Sequence, residues 1–234
     1  MKFINNLLAI SIIILLIVPN LPSGISSRNS NYKMEFAPNN TIVIVTGFEP
    51  FSIYDINPSQ LIAEELDGQY IDGAEIIGIV LPVDFDASVE NITKVIGNHT
   101  PQVLISTGLS PRAKKINVEK FGINIKMYPR NEKKWFIPRR LDPFGPFIRI
   151  SSLDTKEIAS ELNNAGITSR QSYYAGFYIC NAVLYGSLGF IDEKDLSTKA
   201  GFIHVPLLSS QDPKGMELET MVEAVKIAIR TSLK

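Results

Sequence analysis

The chain has one cysteine, two histidines and one tryptophan in 234 residues, and its charges nearly cancel. Each scarcity excludes something. A lone thiol, Cys180, forms no internal disulfide, so no disulfide framework supports the fold. Two histidines and no Cys/His/carboxylate cluster at metal-ligand spacing leave no zinc-type site. Lys and Arg number 23 against 24 Asp and Glu, a net charge of −1, so no basic field recruits nucleic acid. What remains is 45% hydrophobic and 20% charged, which suits one globular domain with a sizeable core.

The N-terminus stands apart. MKFINN carries one Lys, Leu7 to Val18 is an apolar run broken by a single Ser, and Pro19 and Pro22 end it ahead of Gly24-Ile25-Ser26. This charge-apolar-small order is that of a secretory signal peptide, and the run is short of the roughly 20 residues that span a bilayer. Residues 1–26 are therefore expected to be a signal peptide or an N-terminal membrane anchor, and residues 27–40 a polar linker. Asn39-Asn40-Thr41, Asn91-Ile92-Thr93 and Asn98-His99-Thr100 are glycosylation sequons, while Pro58 excludes Asn57. Together they predict an exported protein, secreted or anchored facing outside, with a cytoplasmic location as the alternative.

From residue 41 strand-like and helix-like segments alternate. Strands are expected at 41–48, 76–83, 103–109 and 201–207, and helices at 57–66, 86–97, 154–164, from about 178, and at about 215–233. Residues 116–125 alternate polar and apolar, predicting an edge strand or hairpin. Residues 126–150 hold four prolines and no period, which reads as a long loop. The alternation implies an α/β fold, a three-layer α/β/α sandwich around a mostly parallel open sheet, with its site beyond the carboxyl ends of the strands. Gly47-Phe48, Gly108-Leu109 and His204 fall at such ends.

Cys180 lies in SYYAGFYICNAVLY, at the first turn of the helix expected from about 178. Alone, it reads equally as a small buried hydrophobe. A helix N-terminus favours the thiolate, however, and Ala175-Gly176 allows the close backbone approach that a nucleophile turn needs. His204, in GFIHVP, is either a core histidine or the base that such a nucleophile requires, and His99 lies in a polar loop. Glu119, in NVEKF, is either a solvent-facing strand carboxylate or the group that orients the imidazole. The residues alone leave these alternatives open.

From residue 41 the chain resembles the pyroglutamyl peptidase I family, through TGFEPF with NPS (46–51, 57–59), GLSPRAKKINVEKFGIN (108–124), SYYAGFYICNAVLY (172–185) and GFIHVP (201–206). The resemblance implies that residues 41–234 are a single α/β peptidase domain of phosphorylase/hydrolase-like architecture, acting without a cofactor or metal on peptides with N-terminal pyroglutamate. It implies a Cys180–His204–Glu119 triad, Phe48 and Phe51 as walls around the lactam ring, backbone groups of 108–112 on its amide, and a homo-oligomer. A membrane tether through residues 7–18 would be unusual for a family best known as cytosolic. Ser52-Ile53 replace two glycines usual after GFEPF, and 125–140, with Trp135, departs from the family's polar run. Two alternatives follow: a cysteine hydrolase of another blocked N-terminus or small amide, or an inactive binding module with the same fold.

Overall fold

A computed structural model of the protein describes residues 41–127 and 138–234. The expected signal or anchor, the linker, the Asn39 sequon and Trp135 lie outside the described residues. In chain order the elements are β1 (Ile42–Phe48), α1 (Pro58–Leu66), β2 (Tyr70–Ile71), β3 (Ala74–Leu81), α2 (Phe85–His99), β4 (Val103–Leu109), β5 (Ile116–Glu119), β6 (Phe121–Ile123), β7 (Ile148–Ile150), α3 (Thr155–Asn164), β8 (Ser169–Ser172), α4 (Ile179–Glu193), β9 (Lys199–Val205) and α5 (Leu218–Leu233). A seven-stranded sheet runs β2-β3-β1-β4-β9-β5-β8, and β6 and β7 form a separate antiparallel pair. The β3-β1, β1-β4, β4-β9 and β5-β8 pairs are parallel; β2-β3 and β5-β9 are antiparallel.

The central strands are mostly apolar because both faces are covered, as parallel sheets require. Val43, Val45, Val103, Ile105, Ile203 and Val205 pack with α1, α3 and α5 on one face. Ile44, Phe48, Leu104 and Phe202 pack with α2 and α4 on the other. Each such buried side chain contributes about 1.5–3 kcal/mol. Helix starts follow local chemistry: Asn57 accepts from Ser59 N–H at 3.1 Å ahead of Pro58, Asp84 accepts from Asp86 and Ala87 N–H, and Asp154 accepts from Glu157 N–H at 2.9 Å.

Three expectations change. The 116–125 segment is neither an edge strand nor a hairpin: β5 lies inside the sheet between β9 and β8, and β6 belongs to the second sheet. Its alternation does not mark a solvent face, because Ile116, Asn117, Val118 and Glu119 are all buried. Ile116 and Val118 point into the α1/α3/α5 layer. Asn117 and Glu119 therefore point to the opposite face, where α4 packs. The expected loop of 126–150 ends in β7, and β8, with the polar sequence SRQS, is a strand at the edge held by β5 alone. Finally, Asn91 and Asn98 lie within α2 rather than in surface loops; Ile92 is fully buried, and the Thr93 hydroxyl donates back to Val89 O and Glu90 O.

Candidate active site

Cys180 is the second residue of α4. The chain reaches it through buried Ala175 and through Gly176, whose φ of +84° is one that side chains rarely adopt. Tyr178 caps α4 with extended backbone and provides no side-chain cap. The first-turn N–H groups and the positive end of the helix dipole thus lie beside the sulfur. Opposite stands the end of β4. A Cβ at Gly108 would come 2.9 Å from Cys180 Sγ and 2.8 Å from Phe202 Cζ, so only glycine lets the thiol approach this strand.

His204 sits next to the carboxyl end of β9, 8% exposed. Its Nδ1 lies 2.8 Å from Glu119 Oε1, and the ring also hydrogen-bonds Cys180, which leaves Nε2 for the sulfur. The antiparallel pairing of β5 with β9 makes this contact. Asn117 stands opposite His204 and Glu119 opposite Phe202, so the imidazole reaches diagonally to the carboxylate on the same face. Burial works against the imidazolium, but the negative Cys180 sulfur, its hydrogen bond, and then Glu119 outweigh it and hold His204 up at about 10. Glu119 is 1% exposed, and its Oε2 has no hydrogen-bond partner among the described residues.

Beside the sulfur is a small apolar pocket lined by Phe48, Phe51, Leu109 and Ile179, with Asn57 as its polar member. The structure therefore brings together all five residues singled out from the sequence. It adds Asn57, Leu109 and Ile179, which sequence reasoning missed as pocket residues. Asn57 was legible only as a helix cap, and here it does both; its Nδ2 donates to Glu49 O at 3.0 Å. In the 108–112 loop, Ser110 N–H already donates to Val205 O and its carbonyl accepts from Ala113 N–H. His99, expected in a polar loop, lies exposed in the last turn of α2. A larger cavity of about 680 Å³ lies between α2, α4 and residues 141–146, and its lining includes neither Cys180 nor His204. Among the described residues no group of three His, Cys, Asp or Glu is placed to hold a metal ion.

Asn181, next to Cys180, is fully buried and accounts for its place in the motif. Its Oδ1 accepts from Ile123 N–H at 2.8 Å, and its Nδ2 donates to Ile123 O and Ile125 O. It thereby ties the strand that follows Glu119 to the helix bearing Cys180.

Residues 41–234 match the family model described as Pyroglutamyl peptidase. The pyrrolidone-carboxylate peptidase of Pyrococcus furiosus is 37% identical over 203 residues, covering 82% of this chain and 98% of that one. Pyrrolidone-carboxylate peptidase 1 of Ralstonia nicotianae is 33% identical, covering 82% and 93%. The solved structure of pyrrolidone carboxyl peptidase from Thermococcus litoralis superposes with a TM-score of 0.78 at 31% identity, covering 82% of this chain and 93% of that one.

These matches overturn the expectation of an exported, glycosylated or membrane-anchored protein. The family match begins at residue 41 and accounts for nearly all of the archaeal relative, so the kinship lends nothing to an anchor at residues 7–18. The asparagines of two of the three sequons, Asn91 and Asn98, lie in α2. With the α/β/α architecture, the motifs and the matches in agreement, the chain belongs to the pyroglutamyl peptidase family.

Proposed function

We propose that residues 41–234 form a single peptidase domain that hydrolyses the bond after an N-terminal pyroglutamyl residue, with Cys180 as nucleophile, His204 as acid and base, and Glu119 as the group that orients His204. The observation that carries this reading is the imidazole of His204 bonded to Cys180 on one side and to Glu119 on the other, with an apolar pocket beside the sulfur. The curated relatives bear the name of that activity.

The chemistry follows from the arrangement. His204 takes the Cys180 proton at Nε2, which leaves the sulfur as the thiolate, the nucleophilic form. The thiolate attacks the carbonyl carbon joining pyroglutamate to the next residue, and the oxygen takes the negative charge near the first-turn N–H groups of α4. His204 gives its Nε2 proton to the leaving amine, the C–N bond breaks, and a thioester to Cys180 remains. Water then attacks the thioester while His204 takes its proton, releasing pyroglutamate and restoring the thiolate. Glu119 keeps Nδ1–H donating throughout and offsets the ring's charge. Phe48 and Phe51 bound the lactam ring.

The test is release of aminomethylcoumarin from pyroglutamyl-aminomethylcoumarin by the wild type and by Cys180→Ala. Turnover by the wild type alone supports the reading. Equal turnover by both excludes Cys180 as nucleophile, and no turnover by the wild type, with rapid iodoacetamide labelling of Cys180, moves the substrate to another small amide.

A further inference from the structure

The pocket beside Cys180 is narrow and open on one side, with about 20 Å³ of free space in its floor, about enough for one water molecule. A five-membered lactam is larger than this floor, so the least firmly held of the lining side chains sets how deeply the ring enters. Phe48, Asn57, Leu109 and Ile179 are each buried to 5% exposure or less, within strands or at helix starts. Phe51, Val83 and Tyr178 are half-buried and sit outside the named strands and helices; Val83 and Tyr178 pack against the α2/α4 core, whereas Phe51 sits on a tight turn.

That turn is built unusually. Phe51 and Tyr54 form an antiparallel bridge, with Tyr54 N–H donating to Phe51 O at 3.0 Å, and their rings pack at 5.8 Å and 59°. Ser52 takes the first central position with φ +58°, where glycine is the usual residue. Ile53, at the tip, is 82% exposed and braces nothing. The far end of the loop is held instead: Asn57 Nδ2 donates to Glu49 O, and Gln211 Nε2 donates to Ile56 O at 2.9 Å. Only the 51–54 tip is left to move, and the Tyr54 ring backs Phe51 without itself lining the pocket.

We propose that Tyr54 is a positioning residue that limits how far Phe51 yields, and so sets the size of lactam ring that the pocket accepts. This rests on the pyroglutamyl reading. The side chain at Ser52 leaves the turn fewer backbone conformations than glycine would, which narrows the range over which Phe51 moves. The measurable quantity is the ratio of kcat/KM for the pyroglutamyl substrate to that for its six-membered homologue, 6-oxopiperidine-2-carbonyl-aminomethylcoumarin. One added methylene is discriminated by about 10- to 200-fold in a fitted pocket.

The experiment measures this ratio for the wild type, Tyr54→Ala, Tyr54→Phe and Ser52→Gly, along with the rate of Cys180 alkylation by iodoacetamide. Tyr54→Ala is expected to reduce the ratio to about a fifth or less of the wild-type value, chiefly through KM, with alkylation unchanged because the triad is untouched. Tyr54→Phe keeps the ratio, since the ring and not the hydroxyl backs Phe51. Ser52→Gly lowers it less, and decides the matter should Tyr54→Ala fail to fold. An unchanged ratio in Tyr54→Ala, or an equal collapse in Tyr54→Phe, overturns the role of Tyr54 while leaving the peptidase reading intact. No turnover of the pyroglutamyl substrate by the wild type overturns both.

Discussion

Strands β4 and β5 are both fully buried and both end at the site, yet they are built on opposite principles. β4 is apolar along most of its length, pairs in parallel with β1 and β9, and needs a glycine at Gly108 to leave room for Cys180. β5 is four residues long, runs antiparallel to β9, and carries Asn117 and Glu119 on the face that β4 would have filled with hydrocarbon. The comparison teaches that one strand supplies space and the other supplies charge. A buried carboxylate is tolerated where an imidazolium faces it, and the chain reverses direction at the one strand pair where such a partner is needed.

Glu119→Gln breaks the comparison most sharply, because it keeps the shape of β5 and deletes its charge. It should lower kcat/KM by about 10³- to 10⁴-fold, as with other triads that lose the orienting carboxylate, while Cys180 remains present. A steady-state assay beside thermal melting checks it, and a loss below tenfold would show that Glu119 does not orient His204. In the β4 half, Phe202→Ala removes a fully buried ring that packs on Phe48 and His204, and should cost about 3–5 kcal/mol in chemical denaturation.

Titration sharpens the distinction further. With only two histidines, each ring can be followed by NMR. The negative sulfur stabilises the His204 cation more than Glu119 does, so Cys180→Ala should lower the His204 pKa from about 10 by more than Glu119→Gln does. The sign for stability follows from a raised pKa: the His204 contribution is complete below its ordinary value of 6.5 and is lost as pH rises through about 10. Wild-type melting temperature should therefore fall across that alkaline range, and the fall should be smaller in Cys180→Ala. The smallest effect is expected for Asn181→Ala, which frees three backbone groups of the β6 segment at about 1–3 kcal/mol. Faster hydrogen exchange at Ile123 with a near-normal alkylation rate would mark that role as structural.

Much of this molecule was legible in its residues. The apolar runs of β1, β4 and β9 read as buried strands because their apolarity has no other use in a packed core. Asn57-Pro58 and Asp154 read as helix starts because capping is local chemistry. Cys180, His204 and Glu119 were identifiable as a set only through their motifs, since periodicity alone leaves each with a bland alternative. The signal-like N-terminus and the sequons misled for a related reason: both are short patterns, and short patterns do not carry their structural surroundings with them. Asn91 satisfies a sequon and yet lies on a helix.

By itself the sequence determined the α/β class, the helix starts set by caps and the core strands, since all of these rest on interactions between neighbours in the chain; the candidate reactive residues were proposed from motifs. The tertiary structure alone decided that β5 enters the sheet antiparallel and internal, that Glu119 faces the α4 layer instead of solvent, and that Phe51 is backed by Tyr54 across a strained turn. Those outcomes depend on which distant segments pair, and a contact across 85 residues, as between the side chains of Glu119 and His204, is fixed by packing of the whole and not by any local pattern.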